Sequence, residues 1–174
     1  MPIAWRALLF TAVVPGTIAG LIPVLLVRFA RTWFGPSGLG QTADLGPLHL
    51  LGWALVGVGA AGYLWCAADF VRHGRGTPNP LDPPRVFVAG GLYRFVRNPM
   101  YVSVGLVILG QAIGWGSAIL VAYLAVAWLV VHLFVVTVEE PLLRRRFGAA
   151  YEAYLARVNR WLPQLPEEPG VNRG

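Results

Sequence analysis

Two short polar motifs flank a long uncharged stretch of this sequence, and their side chains are suited to binding a charged ligand. Arg97-Asn98 precedes the stretch, Glu139-Glu140 follows it, and residues 98–138 carry no formal charge. As a helix, a stretch of this length extends about 60 Å, whereas the hydrocarbon core of a bilayer is about 30 Å thick. We therefore predict two antiparallel membrane spans, which bring both motifs to the same face of the membrane.

The paired motifs offer complementary chemistry. The Arg97 guanidinium can bind a carboxylate, and the first turn of a helix that begins near Pro99 favours an anion. The carboxylates of Glu139 and Glu140 can bind an ammonium group or hydroxyls. Together these groups suit a zwitterionic cofactor that carries a sulfonium. The residues alone also allow a simpler interpretation, in which Arg94 and Arg97 anchor the helix at lipid headgroups while the two glutamates neutralise them.

The composition places these motifs on a membrane protein. Of the 174 residues, 56% are hydrophobic and 13% are charged, against about 25% charged residues in a soluble domain. Residues 7–27 and 45–68 are also uncharged, and each is long enough to cross a bilayer once. We predict an all-α, polytopic bundle of about four transmembrane helices in a single membrane domain.

The predicted domain divides into four parts. Residues 1–68 hold two spans, 69–98 form a long polar loop, 99–138 form a helical hairpin and 139–174 form a tail. Apolar residues recur in the tail at helical spacing and predict an amphipathic helix along the membrane surface. They are Leu143, Phe147, Tyr151, Tyr154, Leu155 and Val158.

The arginines predict the orientation. Five lie in residues 69–98 and six lie beyond residue 138, but only two separate the first two spans. By the positive-inside rule, the loop, the tail, both termini and the site face the cytoplasm of a multi-pass protein, which we expect in a bacterial inner membrane. The sequence has no basic groove or reader domain for nucleic acid.

Several smaller features have structural interpretations. Gly52, Gly57, Gly59 and Gly62 lie in the second span, where small residues favour close helix contact, either within the chain or in a dimer. With a single cysteine and no paired-histidine motif, no metal site is predicted. We expect His132, two helical turns before Glu139, to be a packed, neutral side chain bonded to a neighbouring helix.

Three groups of residues, in this order, carry a resemblance to a known family. They are Gly76-Thr77-Pro78 with Asp82-Pro83-Pro84-Arg85, then Gly91-x-Tyr93-Arg94-x-x-Arg97-Asn98-Pro99-Met100-Tyr101, then Glu139-Glu140-x-x-Leu143 with Phe147-Gly148-x-x-Tyr151-x-x-Tyr154. The pattern resembles the isoprenylcysteine carboxyl methyltransferase and phospholipid methyltransferase family over residues 70–163. The resemblance implies an integral membrane enzyme that holds S-adenosylmethionine between the last two spans and the C-terminal segment.

The resemblance also implies site residues. At the cofactor it places Tyr93, Arg97, Asn98, Pro99, Tyr101, Glu139 and Glu140. The candidates for the reaction itself are Arg94, Arg97, Asn98 and Glu140, with Arg97 on the cofactor carboxylate and Arg94 holding an anionic acceptor. Many family members have His where this chain has Asn98, and Asn cannot titrate near neutral pH.

The predicted function is methyl transfer to a lipidic or membrane-partitioned acceptor, on the pattern of the isoprenylcysteine enzyme. The alternatives are a phospholipid N-methyltransferase, a membrane reductase that uses reduced nicotinamide dinucleotide phosphate through Arg144, Arg145 and Arg146, and a non-catalytic scaffold. Membrane lipids are the expected partners. The sequence specifies neither the acceptor nor the oligomeric state.

Overall fold

The computed structural model describes residues 13–35, 42–69, 72 and 89–165, and in these residues the regular structure is helical. The prediction of an all-α membrane bundle is confirmed. Five helices follow one another in the order α1 (Val13–Phe34), α2 (Leu48–Asp69), α3 (Pro99–Gly114), α4 (Ala118–Phe147) and α5 (Ala149–Leu155), with a short 3-10 helix at Gly91–Arg94 before α3. The two motifs at residues 76–85 and the start of the first predicted span lie outside the described residues.

Among the described residues, three helices are long and apolar enough to cross a membrane, namely α1, α2 and α4. The remaining predicted span, α3, is apolar but has 16 residues, which corresponds to about 24 Å. The tight turn predicted between the last two spans is present, since α3 ends at Gly114 and α4 begins at Ala118. Gly116 in this turn has a φ of 58°, which glycine adopts readily.

Two helices continue beyond the predicted spans. The first span was expected to end before Arg28, but α1 continues to Phe34 with Arg28 and Arg31 exposed on its surface. A long arginine stem can lie along an apolar helix while its guanidinium reaches water. The hairpin was expected to end at Val138, but α4 continues to Phe147.

Both α1 and α4 contain a proline within a continuous helix. A π-helical turn at Thr17–Leu21 ends just before Pro23, and a second at Val135–Glu139 ends just before Pro141. A proline inside a helix lacks a backbone donor and crowds the preceding turn. The wider π turn accommodates it, so the helix continues past the residue that sequence rules treat as an end.

The predicted amphipathic tail forms two helices rather than one. Gly148, with a φ of 52°, separates the last part of α4 from α5. The predicted apolar positions nevertheless pack against one another. The cluster consists of Tyr151, Tyr154 and Val158, with Leu143, Phe147 and Leu155 around them.

Glycines bring α2 and α3 into backbone contact. A Cβ on Gly59 would lie 2.6 Å from the carbonyl oxygen of Ser103, and one on Gly110 would lie 2.7 Å from the backbone nitrogen of Val56. Real Cβ atoms do not approach other atoms within 3.0 Å. These glycines therefore serve an internal helix contact, whereas Gly57 on α2 has open space around it.

Polar side chains attach α1 to the rest of the bundle. Because Pro23 lacks an N–H, the carbonyl of Ala19 has no partner one turn ahead in its own helix. Gln111 Nε2 of α3 donates to this carbonyl at 2.6 Å. The hydroxyl of Tyr123 on α4 donates to the neighbouring carbonyl of Ile18 at 2.8 Å. The irregular turn in α1 thus provides the acceptors through which α3 and α4 hold it.

The glycine contact predicts that the same substitution destabilises the protein at one position and has no effect at another. Gly59→Leu should lower the free energy of unfolding by at least about 2 kcal/mol, because the new side chain must separate α2 from α3. Gly57→Leu, on the open face of α2, should leave stability unchanged. The measurement is the reaction of a thiol dye with Cys66 during heating in detergent, since Cys66 is the sole cysteine and is fully buried. Equal melting temperatures for the two variants would contradict the assigned contact.

Candidate functional site

The two polar motifs meet where α3 begins and where the π turn of α4 ends. Arg97 Nη1 lies 3.2 Å from Glu140 Oε1, and the Tyr101 hydroxyl donates to Glu139 Oε2 at 2.9 Å. The hairpin thus places the residues on either side of the uncharged stretch in direct contact. These contacts define the candidate site.

Glu140 is the centre of a buried charge cluster. Its side chain is 8% exposed and accepts from two arginines. Arg160 donates through Nε at 2.7 Å and through Nη2 at 3.0 Å, so its guanidinium holds both carboxylate oxygens. The contact from Arg97 is single and longer. Because the charged form of Arg160 is hydrogen-bonded to this carboxylate, the pKa of its guanidinium is raised.

Glu139 has a different environment, although it is the adjacent residue. It is half-buried and accepts a hydrogen bond from the Tyr101 hydroxyl. Within the residues that the structure describes, no arginine or histidine forms an ion pair with it. A carboxylate withdrawn from water without a cation is costly unless a ligand supplies the positive charge. Glu139 is therefore the candidate group for binding a cation.

The chain returns to the site after α5. We call residues 156–165 the C-terminal strap. The backbone N–H of Arg97 donates to the carbonyl of Asn159 at 2.8 Å, and that of Gln164 donates to the carbonyl of Phe95 at 2.9 Å. Asn98 Nδ2 donates to the carbonyl of Arg160 at 3.2 Å. The strap thus lies along residues 95–98 and brings Arg160 to Glu140.

Trp161 holds the strap against α4. Its indole N–H donates to His132 Nδ1 at 3.1 Å, and its ring lies 4.7 Å from that of Trp128 between centroids. An imidazole nitrogen that accepts a hydrogen bond carries no proton. His132 is thus packed and bonded to a neighbouring element, as its position in an apolar helix predicted.

The 3-10 helix places Tyr93 beside the site. The Tyr154 hydroxyl donates to the Tyr93 carbonyl at 2.6 Å, and burial raises the pKa of both tyrosine hydroxyls, which keeps them neutral. Gly91, which begins this helix with a φ of 57°, packs against the carboxylate of Asp69 at the end of α2, where a Cβ would overlap it. The contact fixes the short helix on the bundle.

The remaining predicted site residues are Pro99, Arg94 and Asn98, and their surroundings differ. Pro99 is buried in the first turn of α3, where its fixed φ suits a helix start. Arg94 is exposed, and its guanidinium lies 4.7 Å from the centre of the Phe95 ring. Among the described contacts, Arg94 touches neither glutamate. Asn98 contacts the strap rather than the glutamates.

The arrangement can bind a ligand that carries both charges. Glu139 offers a carboxylate to a cation, and Arg97 Nε is buried with no hydrogen-bond partner among the described residues. A buried N–H without an acceptor is costly, so this atom suits an anionic oxygen of a ligand. The described residues hold no cluster of three His, Cys, Asp or Glu side chains that could bind a metal ion.

Arg160 and Trp161 were not among the predicted site residues. They follow the last apolar position of the amphipathic pattern, and their sequence neighbourhood has no spacing that links them to Glu140 or His132. Their contacts come after the break between α4 and α5 at Gly148, which has a φ of 52°. The only local signal is an adjacent Arg and Trp directly after an amphipathic segment.

Comparison with known proteins identifies the family. No curated protein matches the chain at a significant level. A family model described as phospholipid methyltransferase matches residues 48–150. The match includes α2, α3 and α4, and with them the arginine and glutamate motifs that form the site. Because the match covers more than half of the chain, this protein belongs to the phospholipid methyltransferase family.

Proposed function

We propose that the protein is a membrane methyltransferase that uses S-adenosylmethionine and acts on a lipidic or membrane-partitioned acceptor. Membership of a methyltransferase family supports the reaction class. The observation that carries the cofactor assignment is Glu139, a half-buried carboxylate next to Tyr101 with no ion pair among the described residues. The opening of the site toward the cytoplasm is part of the same proposal and rests on the distribution of arginines.

The residues of the site fit this cofactor. When bound, S-adenosylmethionine supplies a methyl group activated by a sulfonium. Glu139 binds positive charge, and the hydroxyl of Tyr101 fixes one of its oxygens while leaving the other for the ligand. Arg97 offers its buried Nε to the carboxylate. Glu140, which sequence reasoning also assigned to the cofactor, is occupied by two arginines and supports the site indirectly.

The site lies between the start of apolar α3 and the π turn within apolar α4, so a hydrocarbon-bearing acceptor can approach it from the bilayer. An acceptor carboxylate needs only orientation and exclusion of water, whereas a protonated amine must first lose a proton. Asn98 cannot take that proton, and its amide is engaged with the strap. This chemistry favours a carboxylate acceptor, as in the isoprenylcysteine enzyme, over a phospholipid amine.

The cofactor assignment predicts selective binding. The purified protein in detergent should bind S-adenosylmethionine in a calorimeter and should not bind reduced nicotinamide dinucleotide phosphate. Glu139→Gln should weaken this binding at least about tenfold, because it removes one charged contact. Glu152→Gln is the matched control, since Glu152 is exposed and pairs with Arg144. Binding of the dinucleotide instead would indicate the reductase, and binding of neither by folded protein would favour a scaffold.

The acceptor class is tested with a radiolabelled methyl donor. We expect transfer of label to a lipid fraction of the host membrane when the protein is present. A methyl ester releases labelled methanol on treatment with base, whereas an N-methyl group remains on the lipid. Release of most of the label is the expected result, and label retained on a phospholipid amine would contradict the carboxylate acceptor while leaving the methyltransferase assignment intact.

A further inference from the structure

We propose that Arg160 is a positioning residue that neutralises Glu140 and thereby leaves Arg97 available to bind the carboxylate of the cofactor. This inference rests on the proposed function. It concerns a residue outside the polar motifs, delivered to the site by the C-terminal strap. Arg160 and Arg97 share the carboxylate of Glu140.

The sharing is unequal. Arg160 contacts both oxygens of Glu140, at 2.7 Å and 3.0 Å, with two different nitrogens of its guanidinium. Arg97 contacts a single oxygen with one nitrogen at 3.2 Å. A guanidinium that holds both carboxylate oxygens forms the stronger and more directional pair. Arg160 is therefore the principal counter-ion of the buried carboxylate.

Arg97 consequently keeps donor capacity for a ligand. Its Nε is buried and has no hydrogen-bond partner among the described residues. Its backbone is fixed by the bond from its N–H to the carbonyl of Asn159, and its side chain is 14% exposed. A rigid guanidinium with a free, desolvated N–H is preorganised for a carboxylate.

The strap fixes Arg160 from both sides. The amide of Asn98 donates to the carbonyl of Arg160 itself. The next residue, Trp161, donates to His132 and contacts the ring of Trp128. Asn98 thus acts on the site through the backbone of Arg160. This contact gives Asn98 a physical role, at a position where many family members have His.

Without Arg160, Arg97 would be the one remaining ion-pair partner of Glu140 among the described residues. A buried carboxylate that loses its main partner is strongly destabilised, so the Arg97 guanidinium would turn to hold both of its oxygens. The carboxylate of the cofactor would then compete with Glu140 for the same donor. The expected defect is specific to the ligand carboxylate.

The test compares two ligands that differ in that group. Calorimetry is performed with S-adenosylmethionine and with its decarboxylated form, on wild type, Arg160→Ala and Arg160→Lys. Wild type should prefer the carboxylated ligand at least about tenfold, Arg160→Ala should lose this preference, and Arg160→Lys, which keeps the charge but cannot hold two oxygens, should be intermediate. Arg157→Ala is the matched control, because Arg157 is exposed and bonds within its own turn.

A rescue separates positioning from general loss of structure. Adding Glu140→Gln to Arg160→Ala should restore the preference, because a neutral amide no longer recruits Arg97. Folding of each variant is verified by protection of Cys66 from a thiol dye, and Arg160→Lys carries the test if the alanine variant unfolds. An unchanged preference in folded Arg160→Ala, equal weakening of both ligands, or no rescue would overturn the inference. Failure of wild type to bind either ligand would instead overturn the proposed function and the inference with it.

Discussion

The close approach of α2 and α3 is the constraint on which the rest of the structure depends. Gly59 and Gly110 allow the two backbones to meet, and a side chain at either position would collide with the opposite helix. Apolar burial cannot drive such contacts in a bilayer, so packing at short range between small residues takes its place. This contact fixes α3, and the tight turn at Gly116 then returns α4 along it to the same end of the bundle.

The irregular turns of α1 and α4 contribute to the packing of the bundle and to the site. In a lipid environment each freed carbonyl requires a partner within the protein. The π turn and Pro23 in α1 free the carbonyls of Ile18 and Ala19, and side chains of α4 and α3 donate to them. The second π turn lets α4 pass Pro141. The site is therefore formed within a helix that continues, rather than at a helix end.

The hairpin and the contact of Arg97 with Glu140 could be predicted. An uncharged stretch of twice the membrane thickness crosses the membrane twice, and this returns the charged residues at its two ends to the same face. The end of α4 could not be predicted, since a proline such as Pro141 normally stops a helix and only the tertiary setting favours a π turn instead. Arg160 could not be predicted either. Its place depends on the break between α4 and α5 at Gly148 and on the bond from Trp161 to His132, and the sequence pattern indicated neither.

The two neighbouring glutamates, Glu139 and Glu140, explain why the site has a negatively charged side and a positively charged side. Consecutive residues on a helix point about 100° apart, so Glu139 faces Tyr101 while Glu140 faces Arg97 and Arg160. Two carboxylates facing one cavity would repel each other, and one of them would tend to take up a proton. Their separation keeps the Glu139 carboxylate on one side, beside Tyr101 in the first turn of α3, and the Arg97 guanidinium on the other, just before that helix. That polarity suits a ligand that carries both an ammonium and a carboxylate group, as an amino acid does.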